Sequence, residues 1–130
     1  MFSHVMVGSN DIEASKKFYD AVLGVLGAGE PMRDEKEDGT VRLFYFHNDS
    51  IFSVSTPIDG QPATAGNGST VGFACDSLEQ IQALHDAAVA NGGTSIEDPP
   101  GPRTSNIGTL NLCYFRDPSG NKICGLHRAG

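Results

Sequence analysis

The chain has 130 residues, 38% hydrophobic and 19% charged, and sixteen acidic against nine basic side chains give it a formal net charge of −7. This is enough chain for one domain with a real core, and the composition is that of an ordinary soluble globular protein rather than a disordered one. The charge, with no Lys/Arg cluster to offset it, argues against nucleic-acid binding, and no apolar run approaches the ~18 residues that a membrane span requires.

Cys75, Cys113 and Cys124 are odd in number and lack metal-finger spacing, which argues against a disulfide framework. Met1-Phe2-Ser3-His4 runs directly into strand-like sequence without a signal or basic targeting segment, so a reduced, cytoplasmic setting is expected. His4 to Gly8 reads as a short strand with Val5 and Val7 on one face and His4, Met6 and Gly8 on the other. Asn10 with Glu13 has the spacing of a capping box, and Ile12, Phe18, Tyr19, Val22, Leu23 and Leu26 recur at helical spacing until Gly24 and Gly27. Residues 32–39 are charged, carry an Asp-Gly and are expected to form a loop. Residues 41–47 and 51–56 are β-rich and flank an Asn48-Asp49-Ser50 turn, and the stretch from Pro57 to Gly68 reads as a linker.

The plan then starts again. Subtracting 66 places Val71 on Val5, Glu79 on Glu13, Asp86 on Asp20 and Ala87 on Ala21. Ser77 with Gln80 repeats the capping pattern, Ile81, Leu84, His85 and Ala88 give a helix face, and Gly92-Gly93 ends it. A loop through Pro99-Pro100-Gly101-Pro102 follows, then a strand near residues 110–115 and the turn Asp117-Pro118-Ser119-Gly120-Asn121. In that turn Pro118 presets φ, Gly120 allows positive φ, and the Asp and Asn side chains bond local backbone. The last strand carries Ile123 and Leu126.

The predicted class is α+β: two βαβββ modules (1–57 and 69–127, joined by a linker over 58–68) in one domain of 1–130, forming a curved mixed sheet around a cleft. Val5, Val7, Val71 and Phe73 should lie under the helices, while His4, Met6, Gly8, Thr70, Gly72 and Ala74 should face the cleft.

With His4-Val5-Met6-Val7 before residues 11–19, Val71-Gly72-Phe73 before the second helix, and the segment 115–123, the chain resembles the vicinal oxygen chelate superfamily. That superfamily includes glyoxalase I, the extradiol dioxygenases and the bleomycin- and fosfomycin-resistance proteins. The linker Gly60-Gln61-Pro62-Ala63-Thr64-Ala65-Gly66-Asn67-Gly68 resembles one glyoxalase-like branch in particular. The resemblance implies a four-position metal site in the cleft, which falls here on His4, Ser53, Thr70 and Cys124. Relatives place His or Glu at such positions, and here only His4 matches; neutral hydroxyls are poor ligands for a divalent ion.

His4 is either a remnant ligand and general base or a polar lining residue, and Cys124 is either a thiolate ligand or nucleophile or a small buried hydrophobe. A His4/Cys124 pair, completed by water or His47, is the arrangement that would hold a divalent ion such as Zn²⁺, Ni²⁺ or Mn²⁺; no cofactor is the preferred expectation. Arg103 is read as a clamp for a carboxylate or phosphonate, or as a surface partner of Glu97 or Asp98. Tyr45, Ser53, Ser55, Thr70 and Asn111 are the candidate polar groups of the pocket.

The resemblance implies a small-molecule protein, lyase-type by family and acting on a thioester or hydroxy-carbonyl compound. The alternative is a metal-free protein that sequesters its ligand, for which the −7 charge suggests a cationic one. A homodimer is expected from the family.

Overall fold

A computed structural model describes residues 1–129. In the first half, β1 (Val5–Gly8), α1 (Ile12–Leu26), β2 (Met32–Glu35), β3 (Val41–His47) and β4 (Ser50–Ser55) build a four-stranded sheet of order β1-β4-β3-β2. β1 runs parallel to β4 and the other pairs are antiparallel. The second half repeats this with β5 (Val71–Ala74), α2 (Leu78–Ala90), β6 (Thr94–Ser95), β7 (Gly101–Ser105), β8 (Gly108–Arg116) and β9 (Lys122–Arg128). Its sheet has the order β5-β9-β8-β6, with β7 also paired to β8 and β5 parallel to β9. The 66-residue offset holds for the first elements of each half: 71 − 5 = 66 for the opening strands and 78 − 12 = 66 for the helices. It lapses further on because the second half carries a strand more than the first.

Three local expectations are corrected. Asp11, not Asn10, caps α1, with its carboxylate accepting the Ala14 N–H at 3.1 Å. Asn10 instead pairs with the linker: its amide accepts from Ala63 N at 2.7 Å and donates to Ala63 O at 3.1 Å. Residues 32–35, expected in a loop, form the edge strand β2 along β3; the charged Arg33, Asp34 and Glu35 are tolerable there because an edge strand has a solvated side. Gly101 to Ser105, expected in the Pro-rich loop, form β7 opposite residues 108–112, and Pro102 sits on that edge strand, where a missing N–H is least costly. The remaining caps follow the sequence. Ser77 accepts from Gln80 N at 3.0 Å, and Gly27 ends α1 at φ +101°, where its N–H reaches the Gly24 carbonyl.

The helices pack against each other, and a single cluster of buried side chains draws on both halves. Phe18, Tyr19, Val22, Leu43 and Val54 come from the first, and Ile81, Leu84, Cys113, Phe115 and Ile123 from the second. Aromatic edges join them: Phe18 to Phe115 at 5.9 Å between centroids and Phe52 to Phe73 at 5.2 Å. Each such side chain, fully buried, contributes about 1.5–3 kcal/mol of hydrophobic stabilisation. Gly125 lets α2 approach β9 this closely, since a Cβ there would lie 2.7 Å from Leu84 Cδ2 and 3.0 Å from Cys113 Sγ.

A buried polar knot fastens the halves together. The Asp117 carboxylate accepts from Ser119 N and Asn121 N at Oδ1 (both 2.9 Å), and from Tyr19 Oη (2.6 Å) and Asn121 Nδ2 (2.8 Å) at Oδ2. The Asn121 amide also donates to the Gly8 carbonyl at the end of β1 (2.8 Å), and Ser119 Oγ accepts from Asn10 N. Removing a buried acceptor strands its donors. Asp117→Ala should therefore lower the free energy of unfolding by about 3 kcal/mol and Tyr19→Phe by about 1 kcal/mol. The double variant should fall short of the sum of the two, as urea denaturation of all three proteins would measure.

Candidate functional site

Strand alternation divides each sheet into a face under its helix and an open face. On the first sheet Val5, Val7, Leu43, Tyr45, Phe52 and Val54 belong to the core. Met6 lies beside Ser53 in the β1–β4 register, and Phe44 lies beside Ser53 in the β3–β4 register, so these three share the open face. On the second sheet Gly72 and Tyr114 both lie beside Cys124, while Arg116 lies opposite Lys122. Of the residues at the superfamily's ligand positions, His4 and Ser53 thus belong to the four-stranded sheet or its edge and Thr70 and Cys124 to the five-stranded one, and their surroundings differ.

His4 is exposed, with Nδ1 2.8 Å from Ser3 Oγ, just before β1. It lines a cavity of about 380 Å³ at the junction of the halves, together with His47, Tyr45, Phe52, Val71 and Phe73. Cys124 is not among the lining residues. Ser53 is fully buried and its hydroxyl has no partner among the described residues. Thr70 is exposed and lines a different cavity, with Arg116 and Lys122. Cys124 is buried. Burial pushes its thiol up, against the opposing pull of the Tyr114 hydroxyl and the Lys122 ammonium, and Sγ points its hydrogen toward the Gly125 carbonyl at 3.5 Å. Among the described residues no three His, Cys, Asp or Glu side chains come together in a way that could hold a metal ion. Of the four side chains, the imidazole and the thiol are donor types that borderline divalent ions use, whereas the two neutral hydroxyls are poor ones.

The other candidates have structural partners. Tyr45 lies under α1 and lines the His4 cavity; its hydroxyl donates to Asp20 Oδ1 at 2.7 Å, and burial followed by that carboxylate raises its pKa. Asn111 is buried with its amide 3.0 Å from Nδ1 of the half-buried His127. Arg103 donates from Nη1 to Gly101 O (3.0 Å) and from Nη2 to Asp98 O (3.2 Å) and Pro99 O (2.9 Å), bracing the segment before β7. Its ion-pair partner is Asp98, at 4.0 Å. Ser55 is also buried, its hydroxyl bonded to the Thr56 carbonyl at 2.7 Å. His85 Nε2 meets Ser95 Oγ at 2.7 Å between α2 and β6.

Reading the sequence missed Arg116 and Lys122. Their signal was present: they flank the Asp117–Asn121 turn, and a tight turn with paired strands places its two flanking residues side by side.

The chain matches the profile of the glyoxalase/bleomycin resistance protein/dioxygenase superfamily over residues 1–124. A glyoxalase/bleomycin resistance protein from Albidiferax ferrireducens T118 is 58% identical to it, with 98% of this chain and 99% of that one covered and a TM-score of 0.90. A putative glyoxalase from Bacillus halodurans (20% identity, 98% and 95% covered, TM-score 0.73) and a glyoxalase-related enzyme from Fulvimarina pelagi (18%, 98% and 88%, 0.66) share the fold. No curated protein sequence matches the chain. This chain belongs to the glyoxalase/bleomycin resistance protein/dioxygenase superfamily.

Proposed function

We propose that this protein binds a small molecule without the metal centre of its catalytic relatives, as a sequestering rather than a lyase-type member. The observation that carries this reading is the donor set: His4 is exposed, Ser53 is buried and has no partner among the described residues, Thr70 is a neutral hydroxyl, and Cys124 is a buried thiol where a carboxylate would be needed. Lyase chemistry of the superfamily type needs a cation that polarises a carbonyl and a carboxylate that moves a proton. The position that would supply the carboxylate carries the Cys124 thiol, whose raised pKa also makes it a poor base and nucleophile near neutrality. A homodimer is part of the reading. Met6, Met32 and Phe46 are 41%, 54% and 52% exposed around the first sheet, an apolar surface suited to burial against a second copy.

The protein purified without chelator should carry substoichiometric Zn²⁺, Ni²⁺ and Mn²⁺ by elemental analysis. Ligands found by thermal-shift screening should stabilise it equally with and without EDTA. Metal at one per chain, or brisk hemithioacetal turnover on adding any of the three ions, would overturn the proposal.

The thiols give a second check. Burial pushes Cys75 up to about 11 and Cys113 up to about 12, and raises Cys124 as well. A disulfide reagent at pH 8 should therefore titrate almost no thiol in the native protein and all three after denaturation. Between pH 9 and about 11 the unfolded chain releases protons that buried Cys75 and Cys113 still hold, so the unfolded state binds fewer protons and stability falls as pH rises. Rapid modification of Cys124 in the folded protein at pH 8 would restore it as a nucleophile candidate.

A further inference from the structure

The segment Ala65-Gly66-Asn67-Gly68-Ser69-Thr70 and the side chains of Arg116 and Lys122 enclose a cavity of about 320 Å³ at the start of β5. Arg116 and Lys122 are directly opposed in the β8–β9 register, so two cations share one patch of the open face. Like charges placed opposite each other across strands destabilise a sheet unless a counter-charge is near. Lys122 has one: its ammonium pairs with Glu97 and lies 4.9 Å from the centre of the Tyr114 ring. Arg116 has no carboxylate partner among the described ion pairs. Among the described residues its side chain makes one hydrogen bond, from Nη1 to the Gly120 carbonyl at 2.8 Å, which leaves the rest of the guanidinium fork to the cavity it lines.

The opposite wall is equally suited to an anion. Ser69 and Thr70 bring exposed hydroxyls. The segment turns tightly, with Ser69 N bonded to Gly66 O at 2.9 Å, and a Cβ on Gly66 would lie 2.7 Å from Ser69 Oγ, so a side chain there would have to displace that hydroxyl. Glu97 does not line the cavity but reaches it through its ion pair with Lys122; its backbone is at φ +60°, a left-handed conformation that non-glycine residues seldom adopt, and its side chain is 47% exposed. Arg116, Lys122 and the Glu97 paired with it sum to +1 in a chain whose total is −7, so the overall charge that favoured a cationic ligand does not describe this patch.

We infer that this cavity binds the oxyanion group, carboxylate or phosphate, of a small molecule, with Arg116 as its principal partner, Lys122, Ser69 and Thr70 as supporting donors, and the Glu97 carboxylate as the placeholder that the ligand displaces. A guanidinium offers two parallel donors to such a group, which the more compact ammonium does not. This inference rests on the reading that the protein binds a small molecule, and it names the chemical class of that molecule.

The test is a titration of EDTA-treated full-length protein, followed by amide NMR, with inorganic phosphate and with acetate, each against sodium chloride at equal ionic strength. Saturable shifts should centre on residues 65–70, 97, 116 and 122, and the relative affinities of phosphate and acetate identify which oxyanion the site prefers. Arg116→Gln should weaken binding about tenfold, as loss of a charged hydrogen-bonding partner does. Glu97→Gln should tighten it several-fold by removing the competitor, and melting temperatures will show that both variants are folded. Shifts reproduced by chloride, shifts centred elsewhere, or unchanged affinity in folded Arg116→Gln would each overturn the inference. None of these results bears on the metal content, which decides the metal-free reading separately.

Discussion

The buried carboxylate of Asp117 is the constraint on which the arrangement depends. It is only 4% exposed and has no cationic partner among the described residues, so its burial is tolerable only because four donors surround it. Two are backbone N–H groups of its own turn, one is the amide of Asn121, and one is the hydroxyl of Tyr19 from the other half of the chain. Burial and then the Asp117 charge push Tyr19 well above the usual phenol range, which keeps it a hydrogen-bond donor throughout the physiological pH range. A charge satisfied this way holds its neighbours in one geometry, because any displacement leaves a buried donor or acceptor unmet.

Several features of the candidate site follow from that knot. The turn sets the register of β8 on β9, and so places Arg116 opposite Lys122 and Tyr114 opposite Cys124. Asn121 pins the end of β1 through the Gly8 carbonyl, and Asn10 holds the linker at Ala63 while its backbone reaches Ser119. The linker segment that walls the oxyanion cavity is thus anchored from the first half at one end and runs into β5 at the other. The rigid polar core and the exposed cations beside it come from the same few residues.

Local chemistry made much of the fold legible before any coordinates. Helical spacing marked both helices, Ser77 and Gly27 marked two of their ends, and the 66-residue repeat placed β5 and α2 where they stand. The failures share a cause. Residues 32–35 and 101–105 are strands because a neighbouring strand supplies partners, not because their own residues favour extended backbone. Asn10 and Asp11 are both good caps by type, and the Ala63 backbone, 53 positions away, decided between them. For the polar candidates, the structure adds the partners of Tyr45, Asn111 and Arg103, namely Asp20, His127 and the carbonyls before β7.

The sequence by itself determined the α+β class, the repeat and the turn at 117–121, since these rest on propensity, periodicity and composition within short windows; which four residues fall at the ligand positions came from the resemblance to the superfamily. Only the tertiary structure decided that Cys124 is buried with its thiol pushed up, that Ser53 is buried without a partner among the described residues, and that His4 lines one cavity and Thr70 another. It alone also set two cations of an acidic protein side by side beneath a glycine-rich loop. The physical reason is range. Desolvation and Coulomb interactions depend on which distant segments pack together, and no local pattern encodes the distance between residues 70 and 116.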